Sequence, residues 1–233
     1  RIIAIRNTLN RAPMSIEQAQ NNLSLSKLDR NIVFFDRAIR SFIPNSNPST
    51  RPLPVSSPDV PKLSVEEARH VAGLMRINHT GEVCAQGLYH GQAFTAKQAT
   101  VKKAMHQSAL EEIDHLVWCE TRLNELGSHP SIFSPLWYGL SFGMGAVAGL
   151  ISDEFSLGFV AETETQVSEH LHSHLGKLPV QDKRSAEILS QMDKEELHHR
   201  DKAVESGASP LPLPIKTTMR FLANCMKTVA YHI

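Results

Sequence analysis

The sequence predicts an all-α protein, a four-helix bundle with extra helices at both ends. Long stretches of helical periodicity alternate with Gly and Pro breakers, and no apolar/polar alternation is long enough to build a sheet. A Glu-x-x-His step occurs twice, at Glu112-Ile113-Asp114-His115 and at Glu196-Leu197-His198-His199. A lone glutamate, Glu82 or Glu164, precedes each step by roughly 30 residues, the separation of one helical hairpin.

On a helix, positions i and i+3 share a face, with Cβ atoms about 5–6 Å apart. A carboxylate and an imidazole so placed can bind one metal ion together. A single Glu-x-x-His is weak evidence, because helices are rich in Glu. Two copies, each with a lone Glu upstream, match the ligand set of a carboxylate-bridged metal pair in a four-helix bundle.

The composition sets the outer limits. A chain of 233 residues suits one good-sized core with appendages. Lys+Arg and Asp+Glu are equal at 24 each, so no net field draws nucleic acid. Cys84, Cys119 and Cys225 form no Cys-x-x-Cys, which points to a reducing compartment and away from disulfides or structural zinc. The chain begins on Arg, and its N-terminal stretch lacks a signal-peptide pattern.

Residues 1–43 read as an N-terminal helical segment. Within it, 16–43 forms one amphipathic helix or two short ones, with Ile32, Phe35, Ile39 and Phe42 in an apolar stripe expected to pack on the main domain. Residues 44–62 hold six prolines and read as a linker or an extended wrapping segment at a domain boundary. Residues 63–233 are the bundle.

Ser64-Val65-Glu66-Glu67 fits a capping box and opens a helix to about Ala96. It carries Glu82 among small and polar neighbours, which suits a buried site better than a plain core stripe. A second helix runs from about Lys97 to Leu126, with Gly127 placed to end it.

Residues 126–152 contain no Asp, Glu, Lys or Arg. The run is long enough to span a bilayer. Pro135 and the glycines at 139, 143, 145 and 149 interrupt it, however, and a span would strand the two half-sites on opposite sides. A buried bundle segment and an interfacial insertion are the better readings. A helix from near Asp153 to Pro179 carries Glu164, and one from about Asp182 to Val204 carries Glu196 and His199. Residues 215–233 form a last amphipathic helix, with Met219, Leu222, Met226 and Val229 on one face.

Four glutamates and two histidines give four negative charges against two divalent ions, a neutral site with room for oxygen. Glu112 and Glu196 are best placed to bridge, Glu82 and Glu164 to act as terminal ligands, with one histidine, His115 or His199, for each metal. Spacing alone leaves Glu195 open as a substitute for Glu196, and Glu162 for Glu164. Glu111 is a poor substitute for Glu112. His170 reads equally well as a neighbour of the site or a surface residue, Asp201 as solvated, and Cys84 as core.

These residues, with Asn78-His79-Thr80-Gly81-Glu82, Glu195 through Asp201 and the Pro135-Leu136-Trp137 segment with its Gly-rich run, resemble the demethoxyubiquinone hydroxylase family over about residues 64–233. The N-terminal helix and Pro-rich segment resemble its longer bacterial form. The resemblance implies a ferritin-like bundle holding two irons through Glu82, Glu112, His115, Glu164, Glu196 and His199, and so favours Glu196 over Glu195 and Glu164 over Glu162. It implies O₂ activation and hydroxylation of a polyprenylated demethoxy-quinol in ubiquinone biosynthesis. It also implies an electron donor, a peripheral position on the cytoplasmic side of a bacterial inner membrane, and contact with a homo-oligomer or other ubiquinone-biosynthesis proteins. The uncharged run then serves as docking and entry surface for the isoprenoid tail. The competing reading is a ferritin-like iron oxidation or storage protein using the same site.

Overall fold

The structure, a computed structural model, describes residues 26–233. The part of the N-terminal reading that falls on residues 1–25 lies outside the described residues. Among the described residues there are seven helices and no strand: α1 (Lys27–Arg40), α2 (Val65–Thr95), α3 (Ala99–Glu125), α4 (Ser134–Ile151), α5 (Asp153–Leu175), α6 (Lys183–Glu205) and α7 (Leu213–His232). This is an all-α, ferritin-like bundle with additional terminal helices.

The chain divides into two compact units between Arg37 and Ala38, so α1 crosses the division and residues 44–62 fall inside the second unit. In the first unit, Ser26 and Asp29 form a reciprocal cap that starts α1, with Ser26 Oγ accepting from Asp29 N–H at 3.2 Å and Asp29 Oδ2 accepting from Ser26 N–H at 3.0 Å. In the second unit, Ala38 and Phe42 pack with Val83, Leu116 and Tyr138. Ile39, expected to pack in the stripe with Phe42, is instead exposed.

The bundle is two hairpins. Ala96–Gln98 joins α2 to α3, and residues 176–182 join α5 to α6, loops short enough to make each pair neighbours. The α2 N-terminus carries the full capping box, with Ser64 Oγ accepting from Glu67 N–H and Glu67 accepting from Ser64 N–H. Gly127 follows α3 at φ +66°, the left-handed turn that ends a helix. Asp153, at the start of α5, accepts the N–H groups of Lys97 and Gln98 at 3.0 and 2.8 Å and so pins the first hairpin turn to the second hairpin. At the other end, the fully buried Arg122 bonds Asp182 at 3.0 Å and Ser185 Oγ at 2.8 Å.

From Ser134 to Ile151 the uncharged run is one continuous helix, α4, and neither Pro135 nor the glycines interrupt it. Pro135 sits in the first turn, where a missing N–H costs nothing. Two of the glycines let α4 lie directly on α2. A Cβ on Gly145 would meet the Leu88 carbonyl oxygen, and Gly91 on α2 faces the Phe142 carbonyl oxygen in the same way. α2 is therefore enclosed by α3, α4, α5 and α7 and is buried on nearly all sides. Leu136, Leu140, Val147 and Leu150 point outward from α4 and are more than half exposed. No helix among the described residues is long and apolar enough to cross a membrane. On α7, Met226 and Ala230 are buried, whereas Leu222, expected on one face with Met226, is exposed.

Gly145→Val is expected to lift α4 from α2 and lower stability by at least about 1–3 kcal/mol. Gly143→Ala, whose added Cβ meets nothing, is expected to stabilise by roughly 0.5–1 kcal/mol through helix propensity. Denaturant midpoints of the two variants check the contrast.

Candidate metal centre

The six expected residues come from four helices. Glu82 projects from α2, Glu112 and His115 from α3, Glu164 from α5, and Glu196 and His199 from α6. All six are buried, none more than 6% exposed. The donor atoms of Glu82, Glu112, His115 and Glu196 lie within 4.8 Å of one another, and the cluster can hold a metal ion. His115 Nδ1 is 2.7 Å from Glu112 Oε2, 3.1 Å from Glu196 Oε1 and 4.0 Å from Glu82 Oε2. His199 Nδ1 is 2.6 Å from Glu112 Oε1 and 3.8 Å from Glu196 Oε2. Glu112 and Glu196 thus each lie between the two imidazoles. Glu164 bonds Glu196 and accepts a short hydrogen bond from the Tyr89 hydroxyl.

Not every close approach here is a hydrogen bond. Both Glu112 oxygens, Glu196 Oε2 and His199 Nδ1 are buried with no hydrogen-bond partner. An orphaned buried carboxylate oxygen costs free energy unless a cation answers it. Converging unpaired donors of this kind fit a chelating site.

The two imidazoles are held from outside in a reciprocal way. His115 Nε2 meets Glu195 Oε2 at 2.7 Å, and His199 Nε2 meets Glu111 Oε2 at 3.1 Å. Each Glu-Glu-x-x-His helix therefore turns its second glutamate inward and lends its first to the other helix's histidine. Such an outer bond fixes which ring nitrogen faces a metal. Neither Glu195 nor Glu111 stands in for its neighbour; both have this other task. Glu162 points elsewhere, accepting from Gln166 at 2.8 Å and pairing with Lys216 at 2.7 Å. Asp201 is exposed and pairs with Arg200.

The electrostatics follow from the crowding. Burial, then the Glu196 and Glu112 charges, hold Glu82 well above the usual carboxylate range, and burial with Glu196 does the same to Glu164. Burial alone would lower both histidines. The carboxylates win, chiefly Glu112, and both rise well above an ordinary imidazole. Burial would raise Glu196, but the flanking His115 and His199 imidazoles hold it below its usual range.

A cavity of about 940 Å³ opens beside the cluster. Leu74, Ile77, Leu88, Met144, Phe159 and Met226 give it apolar walls, and Gly81, Cys84 and Ala85, flanking Glu82, line it as well. Cys84 is therefore a half-buried wall residue and not core. His170 lines the cavity too, its ring 5.2 Å from that of His174. Tyr89 lies seven residues after Glu82, two turns along the same face, where spacing placed it without giving it a role.

Four helices, each presenting a glutamate or a Glu–His pair to one buried cluster, define a carboxylate–histidine bundle protein whose cluster could hold a metal ion. The chain belongs to the family of the ubiquinone biosynthesis protein COQ7, whose family model matches residues 69–230. A Psychrobacter arcticus protein named 3-demethoxyubiquinol 3-hydroxylase is 70% identical over 209 residues, which are 90% of this chain and 98% of the relative. A second Psychrobacter protein (strain PRwf-1) of the same name is 68% identical over 210 residues, 90% of this chain and 99% of the relative. An Acinetobacter baumannii protein, again of that name, is 55% identical over 206 residues, 88% and 97% of the two chains.

Metal loading must compete with protons at Glu82, Glu164, His115 and His199, whose pKa values the metal-free site raises. Ferrous titration at pH 7 is therefore expected to release protons, and apparent affinity to weaken steadily as pH falls. An indicator-dye titration between pH 6 and 8 checks both; a flat affinity across that range contradicts the protonation pattern.

Proposed function

We propose that the chain is a di-iron monooxygenase that hydroxylates a polyprenylated demethoxy-quinol, the 3-demethoxyubiquinol 3-hydroxylase reaction of ubiquinone biosynthesis. The observation that carries it is a buried cluster of unpaired carboxylate and imidazole donors set beside a large apolar cavity. The names of the relatives agree with it. Glu82, Glu112 and His115 would hold one iron with Glu196, and Glu164, Glu196 and His199 the other with Glu112. When bound, the iron pair supplies the redox chemistry that reduces O₂ and delivers one oxygen atom to the ring.

The protein's own residues do the rest. Four glutamates match the charge of two ferrous ions, so the closed core stays near neutrality. Glu195 and Glu111 keep each imidazole's Nδ1 turned inward. Tyr89 holds Glu164 by its carboxylate. The apolar walls between α2, α4, α5 and α7 suit an isoprenoid chain and keep water from the quinol ring. Gly81, with open space where a side chain would sit, leaves the cavity clear beside Glu82.

The outward leucines and valine of α4, with Phe221 and Leu213 on α7, form apolar surface suited to a lipid interface. This supports a peripheral position on the cytoplasmic face of a bacterial inner membrane, where the quinol dissolves. The reaction also needs an electron donor.

Ferrous reconstitution is expected to give two irons per chain and quinol-dependent O₂ uptake with a hydroxylated product from a short-chain demethoxy-quinol. Uptake indifferent to quinol would replace the hydroxylase with an iron-oxidising protein. Glu196→Ala is expected to lose at least one iron and all activity. For the membrane reading, Val147→Glu with Leu150→Glu is expected to cut vesicle co-sedimentation severalfold while leaving activity on a water-soluble quinol intact; unchanged sedimentation would count against that surface.

A further inference from the structure

The Pro-rich segment 44–62 lies along α3 and α6, outside the cluster. Asp114, on α3 between Glu112 and His115 in sequence, turns outward to receive it. Its carboxylate accepts Thr50 N–H at 2.7 Å, Ser49 Oγ–H and Thr50 Oγ1–H at 2.9 Å, and Arg51 Nε–H at 2.7 Å. The rest of the Arg51 guanidinium forks onto Glu195, Nη1 to Oε1 at 2.7 Å and Nη2 to Oε2 at 2.9 Å. Its carbon lies 4.7 Å from the centre of the Trp118 ring, which itself lies 5.4 Å from the His115 ring. One planar cation thus ties together the strap, α3 and α6 with the bidentate geometry that Lys cannot copy.

The consequence falls on one half-site only. Glu195 Oε2 is the atom that receives His115 Nε2–H, so Arg51 fixes the carboxylate that orients the imidazole. The matching carboxylate at His199 has weaker support. Glu111 is met by Lys202 at 3.7 Å and by Gln107 at 3.0 Å, with no strap residue and no guanidinium fork among the described residues.

Resting on the di-iron reading above, we propose that Arg51 is a positioning residue for His115, and that it makes the His115 metal position tighter than the His199 position. The two ferrous ions then bind in sequence, the His115 side first. Removing an outer partner of a ligating histidine typically costs 10- to 100-fold in metal affinity. Glu195→Gln, which removes that partner, is expected to weaken the first binding step by that factor; Arg51→Ala, acting through Glu195, is expected to weaken it severalfold, to bring the two steps closer together, and to perturb one of the two ferrous Mössbauer doublets. Arg51→Lys, which keeps the charge and loses the fork, is expected to recover only part of the loss.

The test is a ferrous titration of the apo-protein, wild type and variants, followed by Mössbauer spectroscopy and by competition with a chelator. Ser56→Ala serves as the strap control, since it removes a strap anchor on Glu187 of α6 and touches neither Arg51 nor Glu195. Sequential wild-type binding that collapses in Arg51→Ala but not in Ser56→Ala supports the proposal. If Arg51→Ala does not fold, the same collapse in Glu195→Gln and a partial one in Arg51→Lys support it equally. A folded Arg51→Ala with both steps and both doublets unchanged overturns it, as does an equal loss in Ser56→Ala. A wild type that binds no iron overturns the di-iron reading along with it.

Discussion

Four glutamates buried in one small volume repel one another, and the whole bundle is arranged around answering that repulsion. Glu82, Glu112, Glu164 and Glu196 come from four helices, so no helix can shift without moving part of the charge. Burial and that repulsion hold Glu82 and Glu164 well above the usual carboxylate range, and the carboxylates hold both imidazoles above theirs. Glu112 and Glu196 lie between the two histidines, where a cation would answer both. Arg122 and Asp182 at one end, and Asp153 at the other, clamp the hairpins together so that the cluster between them keeps its shape.

The sequence exposed the cluster because helical spacing converts directly into position. Two Glu-x-x-His steps, each with a lone Glu one hairpin upstream, needed nothing but the period of the α-helix to be read. Helix starts at Ser64 and ends such as Gly127 were equally legible, since capping is local chemistry. What stayed hidden depends on contacts between elements distant in sequence. Glu195 looked like a rival of Glu196, and Glu111 had no role, because spacing cannot tell which helix a carboxylate faces. The repeated Glu-Glu pair was the available sign. Arg51 gave no sign at all, since its partners are 63 and 144 positions away.

α4 and α2 show how the same tertiary logic misleads. Glycines in the uncharged run read as interruptions, yet each close contact with α2 needs a residue without Cβ. The enclosed α2 has almost no amphipathic stripe, because it is buried on all sides and its polar residues serve the interior. His79 and Gln92 look like surface residues in a linear reading and are core here. Such a helix is recognised by its cap and its length, and hardly at all by its periodicity.

The reciprocal lending of Glu111 and Glu195 has a consequence for symmetry. Residue i of one helix touches residue j of the other, and j of the first touches i of the second. That is the rule of an isologous contact between identical subunits, written here inside a single chain. One hairpin sequence, a lone Glu followed by Glu-Glu-x-x-His, contains every instruction for the centre when it meets a copy of itself across a two-fold axis. The chain uses two such hairpins and then breaks their equivalence by laying Arg51 on only one side.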